Sequence, residues 1–533
     1  MPPSPQNPMP ATHRPEDRGF PLTENDREIL RELARRKAAI ARDPANDERR
    51  RAWYALDSGS GERVMVLAEA QGNRDERRPV PPESLRCTGK WARGLERSLK
   101  MEIYQFEELR DDHVVAPFAN VGWRVKASNY GVDVVMHEGG DEAHMGARTW
   151  DPPIRDLDAD FDKLRPRTFT VDREATLAQK AALEDLFGDI LPVRIRGPFY
   201  WTMGMTWRAI ELIGLEGLML AMYDNPTGLH RLMAFLRDDH LAFANWLERE
   251  GLYTLNNEND YVGSGTLGYT RALPHTGGPP GAPVRKQDLW VLSESQETVG
   301  VSPTQFEEFV FPYQLSIVES FGRTYYGCCE PLHGRWHIVK RIPNLARVSV
   351  SPWADQTLMA EALGRDYVFS RKPNPTPIST ERFDEDAIRA DLRKTLDVAG
   401  RCRLEIIMKD VHTLNNEPQR LARWVQIARE EVDRRGYFHP TRHQNPIDHH
   451  EPPTPAAGSA WLLPHRTPAP LARRGDALFR PAHRAQGGLA PPPRRQRPEE
   501  HPHPLARRQS RGRGRRGGRE GEVSPGQGLR LPE

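Results

Sequence analysis

Between Arg323 and Gly436 the sequence alternates between strand-like and helical segments almost without interruption. "TYYGCC" reads as a strand, "HGRWHIVKRI" as a helix, "ARVSVS" as a strand and "ADQTLMAEALG" as a helix stopped by Gly364. "DYVFS" and "CRLEIIMKD" are the next strands, each followed by a helix, the first ended by Gly400 and the second by Gly436. Strands separated by helices must run parallel, because the return crossover occupies the helix. The expected fold is therefore α/β, a (β/α)8 TIM barrel with an N-terminal helical extension and a disordered C-terminal tail.

Upstream the same grammar is looser. "REATLAQKAALEDLF" reads as a helix, "LPVRIRG" as a strand, "GLYTL" and "DLWVL" as further strands, and "MEIYQFEEL" as strand-like. Two helix starts are explicit. Thr23 with Asp26 resembles a capping box ahead of Ile29, Leu30, Leu33 and Ile40; Ser302, Pro303 and Gln305 form another. These signals divide the chain into 1–20, a disordered start; 21–168, an extension and the beginning of the barrel; 169–437, the barrel body; and 438–533, the tail.

The tail is set apart by charge. From His439 onward there are 17 arginines against 8 acidic residues, a charge of +9, so the rest of the chain carries −7 beneath a total of +2. With Trp461 and Phe479 as its aromatics, the tail cannot bury enough apolar surface to offset its ordering entropy. A nucleic-acid role for it is disfavoured, because arginine without interleaved aromatics is a poor stacking surface. The pair His449 and His450 lies there too. The longest apolar run, Ala209 to Tyr223, contains Glu211 and Glu216 and is shorter than the roughly 20 residues of a membrane span. The start of the chain lacks an apolar signal core, and 4 cysteines at irregular spacing argue against a disulfide framework, which makes a reducing cytoplasm the expected compartment.

In a TIM barrel the chemistry gathers where strands end. Those positions hold Asn256, Asn257 and Glu258; Glu294, Gln296 and Glu297; Cys328, Cys329 and Glu330; Trp353 and Asp355; Lys372 and Asn374; and Lys409, Asp410 and His412. Adjacent thiols followed by Glu330 and His333 suit zinc, which takes soft sulfur and imidazole ligands. Neighbouring strand residues point to opposite faces, so either the strand ends at Gly327 and both thiols turn inward, or one is a ligand and the other is core. Cys402 opens its strand and sits at the wrong end; Asp410 and His412 sit at the right one. "GSGTLG" at Gly263 to Gly268 lacks the lysine of a phosphate loop and reads as a turn.

"SPTQFEEFVFPYQLSI", "YYGCCEPLH", "NLARVSVSPWAD" and "IIMKDVHTL", preceded by "LNNENDYVGSG", resemble the uroporphyrinogen decarboxylase superfamily, and within it the branch tied to cobalamin-dependent methyl transfer. The likeness runs from about Phe169 to Tyr437. It implies a distorted TIM barrel and transfer of a methyl group between a small donor, a methoxylated aromatic or methylamine, and a thiol or a corrinoid carried by a separate protein. The resemblance further implies zinc held by Cys328 or Cys329 with His412, with Glu330 or Asp410 as acid or supporting carboxylate. It places Asn257, Tyr261, Glu294, Gln296, Trp353 and Lys372 around the substrate. The branch's H-x-C motif falls here on Tyr326 and Cys328. The arginine-rich N-terminal signature of the true decarboxylases has no counterpart in "RELARRKAAIARD". A carboxy-lyase using Lys372 to hold carboxylates is the first alternative, and a noncatalytic barrel with a nucleic-acid-binding tail the second.

Overall fold

The computed structural model describes residues 19–61, 63–138, 148–198, 202–275 and 281–436. The expectations for the tail, including His449 and His450, and for residues 1–18 fall outside the described residues.

Six strands build the central sheet: β1 (Met65–Ala68), β2 (Trp290–Ser293), β3 (Arg323–Tyr326), β4 (Leu345–Val350), β5 (Val368–Arg371) and β6 (Arg403–Met408). In space they run β1-β6-β5-β4-β3-β2, every neighbour parallel. The helices fall between them as the alternation requires, with Gln356–Leu363 before β5, Glu385–Ala399 before β6 and Gln419–Arg434 after it. Both capping boxes form, at Thr23 with Asp26 and at Ser302 with Gln305. The second of these helices breaks at Val310, because Pro312 has no N–H to continue the ladder.

The strands do not close into an eight-stranded barrel. Among the described residues the sheet is open, with β1 and β2 as its edges, and side chains together with single backbone bonds, Met203 N to Leu292 O and Asp112 N to Val66 O, occupy those edges in place of further strands. On β2, the Asn256 side chain copies a strand neighbour: Oδ1 accepts from Trp290 N at 2.9 Å and Nδ2 donates to Trp290 O at 3.1 Å. On β1, Asp112 Oδ2 accepts from Val66 N at 2.7 Å and Asp111 Oδ2 from Ala68 N at 2.9 Å. Capping an edge with polar side chains also blocks pairing with another chain. "GLYTL" forms no strand, and "LPVRIRG" pairs with Ala119–Gly122 in a separate two-stranded unit. "MEIYQFEEL" is not a strand either; it ends the helix Lys90–Tyr104 and passes into a wide helical turn over Gln105–Leu109.

One face of the sheet packs Val66, Ala68, Val348, Phe369, Ile406 and Met408 against the helices. The other packs Met65, Leu67, Val368 and Ile407 against Leu267 and Tyr269. Leu267 belongs to a hairpin, residues 260–268, tied by Val262 N to Thr266 O and Gly268 N to Asp260 O, and Tyr269 directly follows it. Fully burying an aliphatic side chain such as Leu267 contributes about 1.5–3 kcal/mol. Glycine lets the hairpin lie this close: a Cβ on Gly263 would sit 2.3 Å from the Tyr325 ring, and one on Gly265, at φ +90°, 2.6 Å from Ile407 Cγ2.

Candidate functional site

The tip of that hairpin meets the ends of the strands. Gly327 leaves β3 with φ +99°, a left-handed conformation glycine adopts without a Cβ penalty. The turn takes the following residues out of strand alternation, so the thiols of Cys328 and Cys329 come within 3.6 Å of each other. Of the two arrangements open at the sequence level, the one in which the strand ends at Gly327 is present. Cys328 is buried and Cys329 half-buried.

Ser264, at the hairpin tip, joins two elements. Its hydroxyl lies 3.5 Å from Cys328 Sγ and accepts from Lys409 Nζ at 2.9 Å. Burial alone would lower the Lys409 pKa, but Tyr261, Cys328, Glu69 and Asp410 around it hold it well above the usual lysine value. Its ammonium therefore stays charged. The Cys328 thiol is pushed well up by its bond to Cys329 and by burial, against the pull of Lys409. It rests as a neutral thiol.

Lys372 behaves differently. Its Nζ turns back along the inner face to Tyr325 Oη at 3.0 Å and Ser370 Oγ at 2.5 Å. Burial, opposed by Glu405 and reinforced by Lys409, lowers its pKa to about 7. Half of such lysines are uncharged at neutral pH.

Carboxylates cluster at the end of β2. Glu294 is 1% exposed, accepts from Gln296 N at 2.8 Å through Oε2, and leaves Oε1 buried without a hydrogen-bond partner. Burial first, then Glu297 and Glu330, raise its pKa well above the usual carboxylate value, which favours its protonated form. Glu297, also raised by burial, accepts from Thr206 Oγ1 at 2.7 Å. Glu330 is a brace: Oε1 accepts from Ser295 N at 2.9 Å and Oε2 from Cys328 N at 3.0 Å, which ties β2's exit to β3's.

The remaining expected residues divide. Tyr261 is at the site, where its hydroxyl accepts from Gly265 N at 2.8 Å. Asp410, at φ +58°, lies 3.7 Å from Lys409 Nζ. Gln296 helps hold Glu294 and Glu297. Asn257 is instead bonded to Leu273 O at 2.8 Å near the hairpin base, and Trp353 is 57% exposed. Cys402 lies at the far end of β6, bonded to Ala360 O. Ser264 and Glu69 were missed by sequence reasoning. Ser264 hid in a glycine-rich turn, and only the clash-free backbone on both its sides marks the place where a hairpin tip can approach a sheet.

The zinc set is not assembled among the described residues, which bring together no group of three or more His, Cys, Asp and Glu able to hold a metal ion. His412 bonds to the backbone of Gly72, and its pKa is lowered by burial despite Asp410. The Lys409 ammonium, bearing on Cys328, repels a cation at the thiols. The arrangement of these residues does not fit a zinc ion.

No protein-family model matches this chain, and no curated protein does. Among solved structures, a methyltransferase from Methanosarcina mazei is similar at 13% identity and a TM-score of 0.42, over 72% of this chain and 99% of that one.

Proposed function

We propose that this chain is a methyltransferase of the uroporphyrinogen decarboxylase superfamily, a distorted TIM barrel in kind, acting between a small methyl donor and a thiol or a corrinoid on a separate protein. The observation that carries the reading is the buried Glu294, biased toward its protonated form and with a vacant Oε1, electrostatically linked to Cys328, itself held beside the cationic Lys409. Methyl transfer from an ether needs both: a proton for the departing oxygen and a cation beside an incoming sulfur anion. As the C–O bond of a methoxylated aromatic breaks, its electron pair stays on oxygen and takes the Glu294 proton, while the methyl carbon bonds to the acceptor. Lys409 favours an acceptor in thiolate form; Ser264 fixes Lys409; Glu330 keeps the two strand exits in register. A corrinoid, where it is the acceptor, supplies a strong nucleophile for methyl groups.

The test is a methylation assay with methoxylated aromatics and methylamines against a thiol and a corrinoid protein. Glu294→Gln is expected to lower turnover by about 10²–10⁴-fold. Cys328→Ser is expected to impair it as well. Zinc content measured in the purified protein, Cys328→Ser and His412→Ala reports separately on the metal. Absence of transfer to either acceptor would overturn the reading.

A second reading rests on Lys372 and Lys409, two buried lysines suited to holding carboxylates. Turnover of a porphyrinogen, with loss of its carboxylate as carbon dioxide, would favour a carboxy-lyase.

A further inference from the structure

The base of the hairpin borders a cavity of about 310 Å³, at the opposite end of the hairpin from Ser264. Five residue steps lead from Ser264 to Tyr269, at most roughly 17 Å at the usual strand rise. The cavity's walls carry Arg50, Arg194 and Arg196, together with Phe118, Asn259 and Tyr269. It shares no side chain with the thiols and lysines at the strand exits.

Its charges are unevenly matched. Arg196 is bonded to Asp260 and to Leu255 O, and Arg50 pairs with Asp47. Glu258 also faces the cavity but is exposed. Arg194 makes no salt bridge or hydrogen bond among the described residues; it lies over the Phe118 ring at 3.4 Å, and its Nε is buried without a partner. Burial and then the neighbouring Arg196 act against its charge, and Glu258 and Asp260 offset them only in part. A partly buried guanidinium whose Nε has no acceptor is under-satisfied unless something fills the gap. Across the same space Asn259 spends Nδ2 on Val114 O at 2.7 Å and leaves Oδ1 buried without a donor. A forked cation with an unused donor, an unused carbonyl acceptor and two aromatic rings form a complementary set.

We propose that this cavity is a binding site for a small hydroxylated organic anion. Its carboxylate or phosphate meets Arg194 and Arg50, its hydroxyl donates to Asn259 Oδ1, and its body rests between Phe118 and Tyr269. Arginine holds such an oxyanion through parallel N–H donors. The cavity lies away from Cys328, so the molecule taken there is distinct from the one transformed at the strand exits.

Thermal shift and calorimetric titration of the full chain test this with three probes: 4-hydroxybenzoate, 3-phosphoglycerate and inorganic phosphate. The first two distinguish a carboxylate on a ring from a phosphorylated hydroxy acid, and the third asks whether charge alone suffices. Saturable binding of at least one hydroxylated probe, tighter than phosphate, is expected. Arg194→Met should weaken it at least about tenfold, and Cys328→Ser should leave it unchanged. Arg50→Gln, which alters a half-buried side chain, should also weaken it and serves if Arg194→Met does not fold. Binding that survives both arginine changes, that is lost in Cys328→Ser, or that no probe displays would overturn the proposal.

Discussion

The two ends of the central sheet are built on opposite electrostatic terms. Where the strands start, each buried guanidinium faces an acceptor: Asp57 Oδ1 accepts from Arg323 at 3.0 Å and from Arg347 at 3.3 Å, the Asp57 carbonyl accepts from Arg403 at 2.7 Å, and Arg347 also pairs with Glu405 at 3.6 Å, which leaves the buried Nε atoms of these three arginines without an acceptor of their own among the described residues. Where the strands finish, burial outruns pairing. Glu294 keeps a vacant oxygen, Glu69 Oε1 and Ser351 Oγ are buried without hydrogen-bond partners, and Lys372 is driven toward neutrality. Matched charge stabilises one arrangement; unmatched buried polarity is what a reacting molecule can satisfy.

If that contrast holds, the largest loss of stability comes from the matched end. Asp57→Ala leaves Arg323 without its carboxylate and Arg347 with Glu405 alone, and should cost about 3–5 kcal/mol in urea unfolding. A smaller loss should follow Gly263→Ala, whose new Cβ meets the Tyr325 ring; overpacking of this kind costs about 1–3 kcal/mol, and displacement of Ser264 should lower activity with it.

The unmatched end should reveal itself through pH. Lys372 has a folded pKa of about 7 against an ordinary value of 10.5, so between those values the unfolded chain binds more protons and stability rises with pH. Lys372→Met should flatten that rise, measured as unfolding free energy from pH 7 to 10. Glu294 has the opposite sign. Its folded pKa is raised above the ordinary 4.5, so the native state holds the extra proton and stability falls as pH increases from 4.5 through the raised value. Glu294→Gln should therefore change stability little at pH 5 and stabilise the protein at pH 8. The smallest effect is expected at His412→Ala, where one half-buried hydrogen bond is lost, about 0.5–1.5 kcal/mol.

The sequence disclosed the periodic part of this fold and much less of its closure. β2 to β6 and their helices follow from alternation, caps and terminal glycines, all local signals. The open edges do not, because they depend on Asn256, Asp111 and Asp112 side chains substituting for strands, a choice that hydrophobic pattern does not record. At the site, Cys328, Lys372, Lys409 and Glu294 were visible as polar groups at strand exits. Their roles were not, since Glu330 looks like an acid until both its oxygens are found on backbone N–H groups. His412 illustrates the same limit: its spacing admits a ligand, but a loop carbonyl takes the ring.

The hairpin carries a consequence for how the protein acquires its chemistry. Ser264 reaches Cys328 across 64 residues of sequence and Lys409 across 145, so neither partnership can form until distant parts of the chain have met. Closing loops of that length is slow relative to local helix formation. We expect the thiols to remain reactive toward alkylating reagents through most of refolding and to become protected only in its final phase, when β6 and the hairpin tip arrive together.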